Sequence, residues 1–246
     1  MVKELKAAEG KLKELMRQDH PLREDSGALH RFLIARRLEV NQAAKMIEAH
    51  VTWRAANLPM PMTAEIRQEL QKGKYYVHGV DGEERPIIVV RSGRFDPKER
   101  DLQTAVNSLV FVIEQAVRKL PDGVSQFAVL YDRTGFSVGK NWDFELIKGA
   151  NRVLSDNYPE RLGGAYVYPC GMVLYGLWKI ISPVLDPRTR QKIRLVTSNE
   201  ELLRLVPAQF VPQQYGGESD FVFDPESVPP VDEAQHALRV ARGTAG

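Results

Sequence analysis

Between Leu162 and Leu185 the chain carries a single charge, Lys179, in an otherwise charge-rich sequence. The stretch is long enough to cross a bilayer as a helix. Its composition argues against that, because Gly163-Gly164, Pro169-Cys170-Gly171 and Pro183 interrupt it. Hydrocarbon penalises each break in backbone hydrogen bonding. The stretch therefore reads as a strand, a turn and a helix. Arg161 stands before it, and Arg188, Arg190, Lys192 and Arg194 follow. An apolar segment framed by cations suits a protein that touches both acyl chains and phosphate.

Periodicity organises the rest. Leu5, Ala8, Leu12 and Leu15 have helical spacing. Further helices are expected over about Ser26–Arg37 and Asn41–Ala55, and from Thr63 to a stop at Gly73, so residues 1–73 read as a helical subdomain. The texture then changes. Short β-branched or aromatic runs predict strands at Pro86–Val90, Phe127–Tyr131, Ala165–Tyr168 and Ile193–Val196. Between them lie helical patterns over Leu102–Leu120, from Phe144 to Leu154, and over Met172–Ile181; Ser198 with Glu201 forms a capping box for a helix through Leu205. Alternating strands and helices predict an α/β domain over residues 74–224 with a largely parallel sheet. Residues 225–246 read as a tail, with a peripheral helix over Val231–Arg242.

Composition excludes several functions. A net charge of +2 is too small for a dedicated nucleic-acid binder. The lone Cys170 cannot form an internal disulfide, which fits a reducing, cytoplasmic setting, and it reads as a small buried hydrophobe. The N-terminal segment lacks the apolar run of a secretory signal. The common nucleophile, zinc, P-loop and dinucleotide motifs are missing, and the five histidines have no ligand spacing. Asp132 follows a strand, where an acid either caps a turn or does chemistry; the cap is the better reading. The chain is thus expected to be a non-enzyme without metal or cofactor.

One ordered set of motifs points further. Leu29-His-Arg-Phe-Leu-Ile-Ala-Arg-Arg-Leu38 with Trp53-Arg54, Asp81-Gly82 with Arg85-Pro86, Asn157-Tyr-Pro-Glu-Arg-Leu-Gly163, Pro183-Val-Leu-Asp-Pro187, Thr189-Arg-Gln-Lys-Ile193 and Val211-Pro-Gln-Gln-Tyr-Gly-Gly217 occur in that order. Together they resemble the CRAL-TRIO lipid-binding family, especially phosphatidylinositol transfer proteins of the yeast secretory type. The resemblance implies a helical bundle beside an α/β domain whose apolar pocket holds one lipid under a gate helix. The gate would be Gly171–Pro183, with Gly171 and Gly176 easing its bending.

Position by position, the resemblance places headgroup contacts on Arg36, Arg37, Glu160, Thr189 and Lys192. The chemistry is suitable: guanidinium and ammonium groups neutralise a phosphodiester, Thr189 donates, and Glu160 accepts from inositol hydroxyls. The pocket walls are expected from the sheet (Ile87, Val89, Phe127, Val129) and the gate (Met172, Leu174, Tyr175, Leu177, Trp178, Ile181). Two departures stand out. Phe127 and Val129 occupy positions that carry hydroxyls in members that also take phosphatidylcholine, so a sterol-, tocopherol- or retinoid-like hydrophobe stays open as a ligand. Pro169-Cys170-Gly171 replaces the family's Asn-Ala-Pro before the gate. The expected protein is a monomeric phospholipid carrier, peripheral on membranes. Its rivals are a lipid-loaded sensor acting on a partner protein and, less favoured, an α/β hydrolase-like enzyme.

Overall fold

The computed structural model describes residues 2–230, except for the side chains of Met172, Val173 and Tyr175. The helix expected over Val231–Arg242 lies outside the described residues. The chain divides into two compact units: Met1–Pro59 with Arg152–Arg161, and Met60–Asn151 with Leu162–Gly246.

In the first unit, α1 (Val2–Leu15), α2 (Ser26–Ala35) and α3 (Val40–Asn57) bury Leu12, Leu29, Phe32, Leu33 and Ile47 in one core. Glu9 of α1 joins α2 through the Ser26 hydroxyl at 2.6 Å and the His30 ring at 2.7 Å. Asp25 caps α2 by accepting from the Ala28 N–H. The helix expected to run through Arg37 stops at Ala35, because Arg37 and Leu38 turn into left-handed backbone, φ 52° and 66°. The Leu38 N–H then closes onto the Leu33 carbonyl at 2.8 Å. The Trp53 ring stands edge-on to Tyr158, centroids 6.0 Å apart, tying residues 152–161 to α3.

The second unit begins with α4 (Ala64–Gln71), capped by Thr63. It packs on α5 (Leu102–Arg118). The remaining elements are β1 (Tyr75–Val80), β2 (Pro86–Arg91), β3 (Phe127–Asp132), α6 (Val138–Asn141), α7 (Phe144–Asn157), β4 (Leu162–Tyr168), α8 (Met172–Ile181), α9 (Pro187–Gln191), β5 (Ile193–Leu195) and α10 (Asn199–Leu205). The apolar stretch of the sequence is thus β4, a turn and α8. No helix among the described residues is long and apolar enough to cross a membrane.

The sheet has the order β1-β2-β3-β4-β5; β1 is antiparallel to β2 and the other pairs are parallel. Strands that advance in one direction with right-handed crossovers put α5, α7 and α8 on one face. The other face is closed by α10 and the segment Val211–Tyr215, which bury Ile87, Val89, Ala128, Leu130, Tyr166 and Tyr168.

Three polar ties hold this arrangement. Asp81, in the β1–β2 turn, accepts from Arg85 Nε at 2.7 Å and from the Tyr166 hydroxyl of β4 at 2.8 Å, and Arg85 reaches that hydroxyl at 3.0 Å. Gly163 and Gly164 make room for it: a Cβ at Gly163 would stand 2.6 Å from the Arg85 side chain, and one at Gly164 2.8 Å from the Tyr166 hydroxyl. Asp132 caps the turn after β3 through the Thr134 N–H and accepts from the Tyr215 hydroxyl, both at 2.8 Å, so it serves the fold. Arg100 forks onto Asp143 at 2.6 and 2.7 Å, ahead of α7. Burial would raise the Asp143 carboxyl; the Arg100 bonds and the Leu146 N–H outweigh it and hold the group below the usual range.

Tyr166→Phe removes one hydroxyl from a buried three-way contact and should lower unfolding free energy by about 1–3 kcal/mol in urea melts. Asp143 titrates lower in the folded state than in the unfolded one, so its stabilisation is present above about pH 4 and fades as pH falls through the folded value. Asp143→Asn should therefore lose stability at neutral pH and flatten the acid limb of a pH–stability profile below about pH 4.

Candidate functional site

A strand at the centre of a sheet usually buries both its faces. Here one face does not close. Val90, Tyr131, Val167 and Leu195 are paired in register across β2, β3, β4 and β5, and each stays only half-buried. Val129 beside them is half-buried too. Their strand neighbours on the opposite face, Ala128, Leu130, Tyr166 and Tyr168, are buried. Yet the Tyr131 hydroxyl is deeply desolvated, which pushes its pKa up to about 12. Tyr131 thus keeps accessible surface while its hydroxyl is shielded from bulk water.

The helix α8 covers part of this face. Leu174 and Leu177, with Cys170, form a buried cluster against Val167, Leu195, Phe136 and Trp142. Trp178 and Ile181 are half-buried and Ile180 is exposed. Burial pushes the Cys170 thiol up, away from the reactive thiolate. Beyond α8, the Asn151 side chain of α7 donates to the Val184 carbonyl at 3.2 Å.

The expected wall residues separate by strand parity. Phe127 and Val129 alternate onto the α8 face together with Ile88. The pairing Ile87↔Ala128 and Val89↔Leu130 turns Ile87 and Val89 to the packed face instead. The four residues cannot line one surface, and Ile87 and Val89 belong to the α10 side. Leu174, Leu177, Trp178 and Ile181 lie on α8 as expected; Met172 and Tyr175 are in α8, with side chains outside the described residues. Tyr131 and Val167 were not anticipated, although counting by twos from Val129 reaches Tyr131.

Of the expected polar contacts, Thr189 and Lys192 belong to the second unit. Asp186 caps α9, Thr189 lies within it, and Lys192 ends it one turn later. Both side chains are half-buried, whereas Arg188, Arg190 and Arg194 are exposed. The Lys192 carbonyl accepts from the Ala165 N–H at 2.9 Å, pinning the helix end to β4.

Arg36, Arg37 and Glu160 belong to the first unit. Arg36 caps the C-terminus of α2 and lines an open groove of about 560 Å³ with Lys45, Trp53, Asp156 and Asn157. Arg37 and Glu160 both hold left-handed backbone, φ 52° and 55°. Such strain concentrates where a side chain must be aimed. Sequence reading passed over Arg31. Burial, then repulsion from Arg161, brings its guanidinium down to about 10.

The CRAL/TRIO domain family matches residues 70–217. The chain belongs to this family. Among CRAL/TRIO relatives, the phosphatidylinositol transfer protein CSR1 of Eremothecium gossypii is 28% identical over 225 residues, covering 85% of this chain and 50% of that protein. The SEC14 cytosolic factor of the same organism is 27% identical over 241 residues, covering 89% and 78%. A CRAL-TRIO domain-containing protein of Schizosaccharomyces pombe is 33% identical over 199 residues, 80% of this chain but 19% of its own length. The chain thus spans about half the length of the CSR1 relative and a fifth of the Schizosaccharomyces pombe protein. The crystal structure of Sfh5 shares the fold, with a TM-score of 0.71, 16% identity and 97% of both chains covered.

Val129→Phe should narrow the space on the α8 face. Uptake of a fluorescent acyl-chain probe is expected to fall several-fold with the circular dichroism spectrum unchanged, whereas Ile87→Val, on the packed face, should leave uptake as it is.

Proposed function

We propose that this CRAL/TRIO chain carries one phospholipid, phosphatidylinositol, and exchanges it at membranes without covalent chemistry. The observation that carries the reading is the half-buried row Val90, Tyr131, Val167 and Leu195 across the central strands under α8. Apolar surface kept inside a fold has a use when an apolar ligand fills it.

The energetics fit. A diacyl lipid with roughly thirty methylenes costs on the order of 25 kcal/mol to expose to water. Exchange proceeds when the protein interior matches the bilayer, so that the chains move between two apolar media. Phe127, Val129 and Val167 on the sheet, with Leu174 and Leu177 on α8, supply that medium. Phe127 and Val129 bring no hydroxyl to it, which disfavours a second, choline-bearing phospholipid.

Family position assigns headgroup contacts to Arg36, Arg37, Glu160, Thr189 and Lys192. Family position and local setting both support each residue. Arg37 and Glu160 are aimed by left-handed backbone, and Thr189 and Lys192 are half-buried at a helix end pinned to β4. The relatives named as phosphatidylinositol transfer protein and SEC14 cytosolic factor support the ligand class. Opening of α8, with Gly176 free of neighbours within 4 Å of a Cβ, lets the chains pass.

Lys192→Ala should cut phosphatidylinositol transfer between vesicles at least ten-fold, the effect of losing about 1.5–3 kcal/mol from one charged hydrogen bond, with thermal unfolding little changed. Transfer at the wild-type rate sinks the headgroup assignment. Native mass spectrometry of the purified protein should show a phosphatidylinositol mass, and another co-purified hydrophobe would redirect the ligand.

A further inference from the structure

The connection from β3 to α7 has a surface that the lipid pocket does not explain. Residues 137–140 are exposed in succession, and Val138 keeps 42% of its surface in water. Added Cβ atoms at Gly135 and Gly139 would meet nothing within 4 Å, so this edge stands clear of the fold. Behind it lie Phe136, Trp142 and Phe144, the last two stacked with centroids 6.2 Å apart. Phe136 and Trp142 pack against Leu174 and Leu177 of α8, which makes the connection a neighbour of that helix. On α8, Ile180 is 54% exposed and Lys179 is exposed beside it.

The segment is also preformed. The buried Asn141 side chain donates to the Gly93 and Phe95 carbonyls at 3.2 and 2.7 Å and accepts from the Ser137 N–H at 2.7 Å. Its loop thus holds one shape without a partner.

Charge identifies the occupant. Lys140 is exposed in the edge itself, and Arg133 and Lys148 stand over its aromatic backing. Lys148 lies 5.2 Å from the Phe144 ring centre, and Arg133 lies 4.8 Å from that of Phe136. Asp143 is committed to Arg100, and Glu145 offsets Lys148, so Lys140 and Arg133 give the edge its cationic character. A cationic rim around aliphatic and aromatic side chains matches an anionic lipid surface, where rings sit at headgroup depth and lysines reach phosphate.

We propose that the β3–α7 connection is a membrane-docking element, seating Val138 and its aromatic backing on an anionic bilayer beside α8. This deepens the proposed function by naming the surface that meets the membrane. Docking is nevertheless read separately from cargo.

The test is flotation with phosphatidylcholine vesicles, with and without phosphatidylserine, paired with native mass spectrometry of bound lipid. Lys140→Ala should weaken binding about five-fold on vesicles containing phosphatidylserine and leave binding to pure phosphatidylcholine unchanged. Val138→Asp should weaken binding to both by about ten-fold or more, since an aliphatic group no longer enters the interface. Lipid content should stay at the wild-type level in both. Val222→Asp, at a position 82% exposed in the segment after β5 and α10, is the control and should bind as wild type. The proposal is overturned if Val138→Asp floats like wild type, if Val222→Asp loses as much, or if the wild type binds neither vesicle. It is also overturned if Val138 serves instead to join two copies, seen as a concentration-dependent dimer mass that Val138→Asp abolishes with flotation intact. A wild type that docks but carries no lipid removes the carrier reading and leaves the docking surface standing.

Discussion

A buried carboxylate, Asp81, is shared between an arginine four residues on and a tyrosine on a strand that is not its neighbour. Arg85 and Tyr166 reach Asp81 from β2's entrance and from β4, so the contact spans β3. A buried charge survives when every lone pair has a partner, and removing one partner strands the rest. Burial is the first cause that pushes the Tyr166 hydroxyl up, to about 12, which keeps it a donor to Asp81 at any physiological pH. The two glycines that open β4 are required by the same contact. Turn, arginine, tyrosine and glycines form one unit, and the register of three strands follows from it.

That register decides which side chains face which way, and the two faces differ in kind. One is closed by α10 and the chain around Tyr215, with Tyr168 and Tyr215 in edge contact at 4.9 Å. The other is spanned by crossovers, which touch a sheet along ridges and leave space between them. Sequential strand order puts all three crossovers on that side.

Much of this was legible in the sequence. The runs PIIVV and FAVLY, the helix patterns and the break of the apolar stretch at Pro169 each gave the element found. The edge strand β1 was not seen, because Tyr75-Tyr-Val-His-Gly-Val80 mixes ring, imidazole and glycine, and Gly79 takes φ +67°. The helices α6 and α9 are shorter than two turns and show no period. The larger miss concerned the site. Ile87 and Val89 resemble Phe127 and Val129 in every local respect, and only inter-strand pairing tells that they point to opposite sides. A single strand specifies its alternation, whereas the phase between strands is set by distant partners such as Asp81 and Tyr166. The polar positions have a similar limit: their chemistry can be read from residue type, but the left-handed backbone at Arg37 and Glu160 cannot.

The desolvated yet accessible Tyr131 has a thermodynamic consequence. An interior that leaves aliphatic and aromatic surface uncovered is an incomplete core, and every uncovered methylene forfeits packing that a filled fold would have. Whatever occupies the space beside Val129 and Val167 supplies the missing contacts and becomes, in effect, a component of the folded state. On the proposed carrier reading, the fold and a bound lipid would share one melting transition, whose midpoint reports on occupancy by mass action.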